Sequence, residues 1–311
     1  MTTPTDALLP TGHSSEGGPD TGAALDETAI QSRGRLVFRR FLRQKHGLIG
    51  LAIVILLVLL AFVGPHFDKW SYSDHDFENF LTGPSSDHWF GTDQTGVDLF
   101  AATMRGAQKS ILIGLFVAIL ATGIAAIVGA AAGYFGGWTD RVLMWIVDLL
   151  LVVPSFLIIA IMSSHFAGNW LLFVLLLGAF IWQITARIVR GQTLALKNRE
   201  YVLASRYMGV SQWKIILSHI LPNLSSLLII DATINVSTAI ITEAGLSFFG
   251  FGVQPPDVSL GTLLSDGQNA AFTYPWLFLC PAAFLVLLVL AVNLVGDALR
   301  DALDPSAGKA Q

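Results

Sequence analysis

Six long apolar runs limit this chain more than anything else in it: near 46–64, 109–133, 140–163, 169–189, 222–249 and 275–297. Crossing a hydrocarbon core of about 30 Å takes about 20 helical residues, and each run is close to that length. The runs are continuous rather than alternating. A helix satisfies its own backbone polar groups inside lipid, whereas a barrel would show apolar residues at every second position. Composition agrees, with 53% hydrophobic and 13% charged residues and a mean hydropathy of +0.63. The expectation is an all-α integral membrane protein with six transmembrane helices.

The 18 Lys and Arg residues orient those helices. Arg33, Arg35, Arg39, Arg40, Arg43 and Lys45 precede the first run, which places the N-terminus in the cytoplasm under the positive-inside rule, and six crossings return the C-terminus to the same side. Arg187, Arg190, Lys197, Arg199, Arg206 and Lys214 gather in the second cytoplasmic loop, while the external segments keep Lys69, Arg105 and Lys109. The organisation that follows has a disordered cytoplasmic tail over 1–32, polar and without a secretory-signal pattern. A basic juxtamembrane segment and first helix occupy 33–64, and an external segment 65–108. A five-helix core spans 109–299 and includes a cytoplasmic loop over 190–222; a cytoplasmic tail covers 300–311. Cys280, the single cysteine, excludes an intrachain disulfide and reads as a small apolar core residue. The lipid bilayer is the expected partner, and nucleic acid is not.

No set of catalytic residues emerges. The nearest match to a phosphate loop, Gly106 to Ser110, lacks the glycines that wrap a phosphate in backbone N–H groups. His66, His75 and His88 are 9 and 13 residues apart, a spacing that does not place two imidazoles on one helix face, and read as solvated loop histidines. The chain is therefore expected to be neither an enzyme nor a holder of a metal or cofactor.

Ionisable groups inside hydrocarbon are costly unless they face a partner or a watery path, which singles out Asp148, Asp231 and Glu243. Asp231, Asn235, Thr238 and Thr242 recur at i, i+4, i+7 and i+11 and share one helical face. That face is either the wall of a translocation path or a seam of interhelical hydrogen bonds. Glu243, one residue beyond it, is placed to attract the amino group of a zwitterionic solute. Ala121, Ala125, Gly129 and Gly133 repeat every fourth position and predict a close helix crossing. Pro154 and Pro281 predict kinks.

The segment from Glu200 to Pro222 is a polar, basic island between apolar runs. Glu200 to Met208 is rich in helix formers, Gly209 and Ser211 interrupt, and Trp213 to Leu221 resumes a helical pattern up to Pro222. Ala204, Ser205 and Gly209 keep the first helix low enough for a partner's groove. A short cytoplasmic helix joined to a membrane helix is a mechanical lever.

This segment resembles the EAA loop of ABC importer permeases, E-A-A-x3-G-x9-I-x-L-P. Ala204, Gly209, Leu221 and Pro222 match; Leu203 stands at the glutamate, Ser205 at the second alanine and His219 at the isoleucine. Glu200, one turn earlier, is the acid available to replace the missing charge. Gly91, Thr92, Asp93, Gly96 and Asp98, then Gly106, Ala107 and Ser110, resemble the G-T-D-x-x-G-R-D…G-A-R-x-S stretch of peptide and nickel permeases, with Val97 and Gln108 replacing two arginines. Gly245 to Pro256 is similar to their G-L-S-F-L-G-L-G-V-Q-P-P run, and Asn293 to Pro305 to their N-L-L-G-D-x-L-R-D-x-L-D-P ending. The resemblance runs from about Arg39 to Pro305 and points to the second permease subunit of the dipeptide, oligopeptide and nickel importers.

What the resemblance implies is a type I ABC importer permease fold in a bacterial-type inner membrane. It also implies a homologous second permease, two ATPase subunits that bind ATP and Mg, and an external solute-binding protein. Glu200, Ala204, Ser205, Gly209, Ser211, Leu221 and Pro222 would couple to the ATPase; Asp231, Asn235, Thr238, Thr242 and Glu243 would line the path. The acids Asp68, Asp74, Asp76, Glu78, Asp87, Asp93 and Asp98 read as a dock for a basic surface of the binding protein, or as a solvated loop. Short peptides are the expected cargo, with nickel or glutathione as alternatives within the class. Outside it stands a secondary transporter or channel driven by an ion gradient, which the intramembrane acids suggest.

Overall fold

Caps and prolines decide where the apolar runs become helices. In the computed structural model, which describes residues 33–163 and 169–303, α1 (Arg33–Arg43) and α2 (Lys45–Val63) meet at Gln44. The tail over 1–32, and the stretch from Asp304 onward, lie outside the described residues. α3 (Leu99–Phe135) starts at Asp98, whose carboxylate accepts the Ala101 N–H at 2.8 Å and so satisfies one of the orphan donors of a helix start. At 37 residues α3 is about 55 Å long. It therefore begins ten residues before the expected start of the second span, so that residues 99–108 of the expected external segment are helical.

α4 (Gly137–Val152) and α5 (Ser155–Ser163) are bent by 79°. Pro154 sits at the bend, and Val153 before it is extended, the conformation that the following proline ring favours. α6 (Trp170–Gly178) and α7 (Gln183–Leu196) are bent by 45°. The polar island follows as α8 (Glu200–Tyr207), α9 (Gln212–Ile215), a π turn over Ile216–Ile220 and α10 (Leu221–Asn223). Pro222 offers no N–H to the turn before it and its ring crowds the carbonyl four residues back; the wider π turn makes room for it. The fifth run is α11 (Ser225–Phe248), so Pro222 precedes the span in a separate turn instead of opening it. α12 (Leu260–Gly267) is a short helix opened by a capping box between Ser259 and Thr262. α13 (Trp276–Leu303) runs through Pro281 as one helix and reaches six residues beyond the expected sixth span.

Four helices, α2, α3, α11 and α13, are long and apolar enough to cross a membrane, and the two bent pairs bring the number to six if each is one span. Among the described residues, extended pairing is limited to the isolated bridges His75–Val97 and Thr92–Asp98.

α3 is the central post. Its small-residue face meets α7 as the spacing predicts: a Cβ added to Gly129 would lie 2.4 Å from the Ala186 carbonyl oxygen, and one added to Gly133 2.8 Å from that of Arg190. Ala121 and Ala125 pack with Trp182 and Ala186. The same crossing is tied at its polar end. Arg190 forms a two-pronged pair with Asp140 of α4, Nη2 to Oδ2 at 2.6 Å, and Lys197 donates to the Gly133 carbonyl at 3.0 Å near the end of α3. Asp148 is paired with Arg187, which accounts for one of the three acids singled out inside the apolar runs.

Candidate functional site

α8 lies outside the bundle of spans and ends in a Schellman motif. The Val210 N–H reaches back to the Ser205 carbonyl at 3.1 Å and the Gly209 N–H to that of Arg206 at 3.1 Å, with Gly209 at φ 76°. Only glycine takes that conformation without strain, which is the physical content of the glycine in the motif. Val202 and Ser205 are buried beneath the helix, while Glu200, Ala204, Tyr207 and Met208 are exposed, Tyr207 at 87% and Met208 at 74%. Ser205 therefore belongs to the inner face of α8 and not to its exposed surface. Its hydroxyl donates to the Tyr201 carbonyl at 2.9 Å and lies 3.3 Å from His219 Nε2. The two positions that depart from the permease pattern as Ser and His thus touch each other and pin α8 to the π turn. Phe135 stacks edge-on against Trp213, which fastens the same unit to the end of α3. Ser211 precedes α9 without a side-chain cap bond, Leu221 is half-buried against Ile216 and Ile220, and Leu203 lines a 260 Å³ cleft with Lys197, Arg206 and Gln212.

The polar stripe of α11 divides. Asp231 and Asn235 turn inward: Thr122 of α3 donates to Asp231 Oδ2 at 3.0 Å, Thr185 of α7 to Oδ1 at 2.6 Å, and Asn235 to Oδ2 at 2.8 Å. Asn235 also donates to Thr122 Oγ1 at 3.1 Å. This is a hydrogen-bonded seam joining three spans. Thr238 is exposed and Thr242 half-exposed, each hydroxyl donating to the carbonyl one turn earlier on α11. An uninterrupted path wall is not formed, because the acid and amide find donors on neighbouring helices while the threonines satisfy themselves.

Glu243 faces no open space. It is 0% exposed, and accepts from Ser110 of α3 at 3.0 Å and from Ser247 at 2.7 Å. Those serines in turn accept N–H groups from α12 and the loop before it, Ser110 from Leu260 at 3.3 Å and Ser247 from Val253 at 3.1 Å. The carboxyl expected to meet a solute is instead the knot that fastens α12 and its leading loop to α3 and α11. Sequence reading found Glu243 and missed the serines. The i, i+4 spacing of Glu243 and Ser247 was a signal for one of them, while Ser110 comes from 133 residues away.

The segment between α2 and α3 is also more ordered than a solvated loop. His88 is 2% exposed, stacks on Trp70, and sets Nδ1 2.8 Å from Asp98 and Nε2 3.3 Å from Asp76. It is a core histidine, not a solvated one, because the two aspartates turn inward onto it. Burial raises the Asp98 carboxyl above the usual range; hydrogen bonds from Asn79 and from the Glu78 N–H lower that of Asp76. Asp87 pairs with Lys69, and Asp93 accepts from Thr95 and the Val97 N–H. Much of the supposed acidic dock is thus used within the segment. At the mouth of the bundle Lys109 pairs with Asp257 at 2.9 Å beneath Trp170, and Arg105 stands 3.8 Å from the same carboxylate. Gln108 donates to the Ala61 carbonyl at 2.8 Å and ties α3 to α2 where the pattern carries an arginine.

The permease motifs therefore mark joints. Comparison with known proteins agrees with them. Residues 121–309 match the family model of binding-protein-dependent transport system inner membrane components, and residues 32–84 match the N-terminal transmembrane domain of oligopeptide transport permease C. Proteins called oligopeptide transport system permease protein OppC are similar along most of the chain. The one from Mycobacterium tuberculosis is 54% identical over 282 residues, covering 90% of this chain and 97% of its own. Those from Bacillus subtilis (42%, covering 87% and 88%) and Haemophilus influenzae (40%, covering 89% and 91%) follow the same pattern. With six candidate spans, a protruding glycine-ended helix and a family match over more than half its length, the chain belongs to the binding-protein-dependent inner-membrane permeases.

Proposed function

We propose that this chain is one of two homologous permease subunits of an ATP-driven importer for short peptides, and that α8 is the helix through which ATPase subunits move it. In this reading the chain forms half of the translocation path, with Thr238 and Thr242 as the stripe residues left free to face it. Both termini are cytoplasmic, ATP and Mg bind the partner ATPases, and an external binding protein delivers the cargo to the face carrying the 65–98 segment. The names of the OppC relatives support the peptide cargo. The observation that carries the coupling role is α8 itself: a short helix outside the spans, with Tyr207 and Met208 exposed and its inner face tied to α3 through α9 and the π turn.

Reconstituting the assembled transporter in proteoliposomes with its binding protein tests this. Gly209→Pro and Tyr207→Asp should lower peptide uptake at least tenfold while ATP hydrolysis continues. Wild-type coupled uptake in both variants would defeat the assignment, and uptake driven by an ion gradient without ATP would favour a secondary transporter.

A further inference from the structure

Beside α8 a cleft of 260 Å³ opens against the ends of α3 and α7 and the start of α9. Tyr134, Lys197, Asn198, Arg206 and Gln212 supply its polar lining, and Phe135 and Leu203 stand among them. We propose that this cleft receives the carboxylate of an Asp or Glu side chain from an ATPase subunit, so that this chain brings the bases to the contact and the partner brings the acid. The inference rests on the reading of α8 as the helix that the ATPase subunits move.

Every ionisable group that the lining would hold charged at neutral pH is a base, and no acid lines the cleft. Lys197 uses one N–H on the Gly133 carbonyl at 3.0 Å and keeps two. Among the described residues the side chains of Asn198, Arg206 and Gln212 have no hydrogen-bond or ion-pair partner, and the Tyr134 hydroxyl is buried without one. All five can donate. The acids nearby do not answer them: Asp140 of α4, which the charge of Lys197 reaches, is already held by both prongs of Arg190, and Glu200 is exposed outside the lining. From Gln183 to Pro222 the chain carries six bases and one acid, and only Arg187 and Arg190 of the six have an acidic partner. Leu203 sharpens the point. It faces this lining at the position where the loop's pattern carries a glutamate, so in this chain no carboxylate enters the cleft from α8 itself. A carboxylate from outside complements the charge. The mixed lining favours a side chain over a free anion, since Phe135 and Leu203 can cover the methylene groups of an Asp or Glu, whereas a bare phosphate would lose water against them without a hydrogen bond in return.

A water-soluble carbodiimide joins an amine to a carboxylate that touches it, with no spacer, and peptide mass spectrometry then names both ends. On the assembled, detergent-purified transporter the wild type should give a link from Lys197 to an Asp or Glu of an ATPase subunit. Lys197→Arg keeps the charge but lacks the amine and should abolish that link. Leu203→Glu puts a carboxylate into the cleft from this chain and should lower the yield of the link by about fivefold or more. Replacing Lys197 and Arg206 together by Gln should weaken retention of the ATPase subunits about threefold or more at low salt and less at high salt, where screening already weakens the wild type. The wild-type link needs no variant, and it decides the matter if the double Gln variant lowers the thermal midpoint. Lys197 linked only to Asp140 or Glu200 of its own chain, a link that Leu203→Glu leaves undiminished, or wild-type retention in a stable double Gln variant at low salt would overturn the proposal and leave α8 as the coupling helix. ATPase subunits that fail to co-purify with the wild type would overturn the coupling reading, and the proposal with it.

Discussion

Replacing Glu243 by Ala should loosen the hold of α12 and its leading loop on the spans of this permease without acting on cargo recognition. The side chain is fully buried, and it is the acceptor for the hydroxyls of Ser110 and Ser247. Removing it leaves two buried hydroxyls short of a partner, each worth about 1–3 kcal/mol, and opens a small cavity. One relief is local, since a serine in a helix can turn to the carbonyl four residues back. The net loss is then about 2–5 kcal/mol, and Glu243→Gln, which keeps an acceptor oxygen and the volume, should lose less than about 1.5 kcal/mol. The assay is the thermal midpoint of the purified transporter beside peptide uptake over a series of cargo lengths. Ala should lower the midpoint by on the order of 10 °C. Gln should leave both the midpoint and the relative uptake of different peptides close to wild type. A double-mutant cycle between Glu243→Ala and Ser110→Ala should show a coupling of about 1 kcal/mol, since the two groups share a bond. If Gln instead changed cargo preference at an unaltered midpoint, Glu243 would be a solute contact and the knot would be wrong.

Gly129→Leu should prevent the α3–α7 crossing from closing, because even a Cβ there would sit 2.4 Å from the Ala186 carbonyl oxygen; the expected loss is about 1–3 kcal/mol or more, read as reduced monodisperse yield in size-exclusion chromatography. Asp98→Ala should destabilise the external segment by about 1–2 kcal/mol, through the lost cap on Ala101 and the abandoned His88, visible as faster proteolysis between Lys69 and Asp98. Burial raises the Asp98 carboxyl, so between the unfolded value of about 3.9 and its higher folded value the native state holds the proton more tightly. Stability contributed by this group therefore falls as pH rises through that window, and Asp98→Asn should flatten that part of the pH–midpoint curve. Exchanging Arg190 and Asp140 for Ala separately and together should give a coupling of about 1 kcal/mol, a modest value because both groups keep some access to solvent.

The apolar helices and the short helix α8 were legible because their signals are local. An apolar run of twenty residues, a four-residue repeat of Ala and Gly, or a glycine after eight helix formers states its own consequence. Gly129 and Gly133 meet α7, and Gly209 ends α8, as those patterns require. Polar residues inside the spans do not carry that information, since what each does depends on which donors the fold brings to it. Asp231, Asn235, Thr238 and Thr242 share a face by spacing, yet Thr122 and Thr185 draw only the first two inward. His88 gives no local hint of burial, because its partners Asp76 and Asp98 read as loop acids until the chain folds back on itself. A low-dielectric interior favours a partner for a buried acid or amide, and the partner's place in sequence is unconstrained. It follows that the motif letters of this permease are best read as joints. Asp98 caps α3, Ser110 and Ser247 hold the carboxyl that ties α12 down, and Ser205 meets His219 under α8. A substitution at any of them should first alter how rigidly one helix follows another, because each of these bonds ties a helix to a neighbouring element.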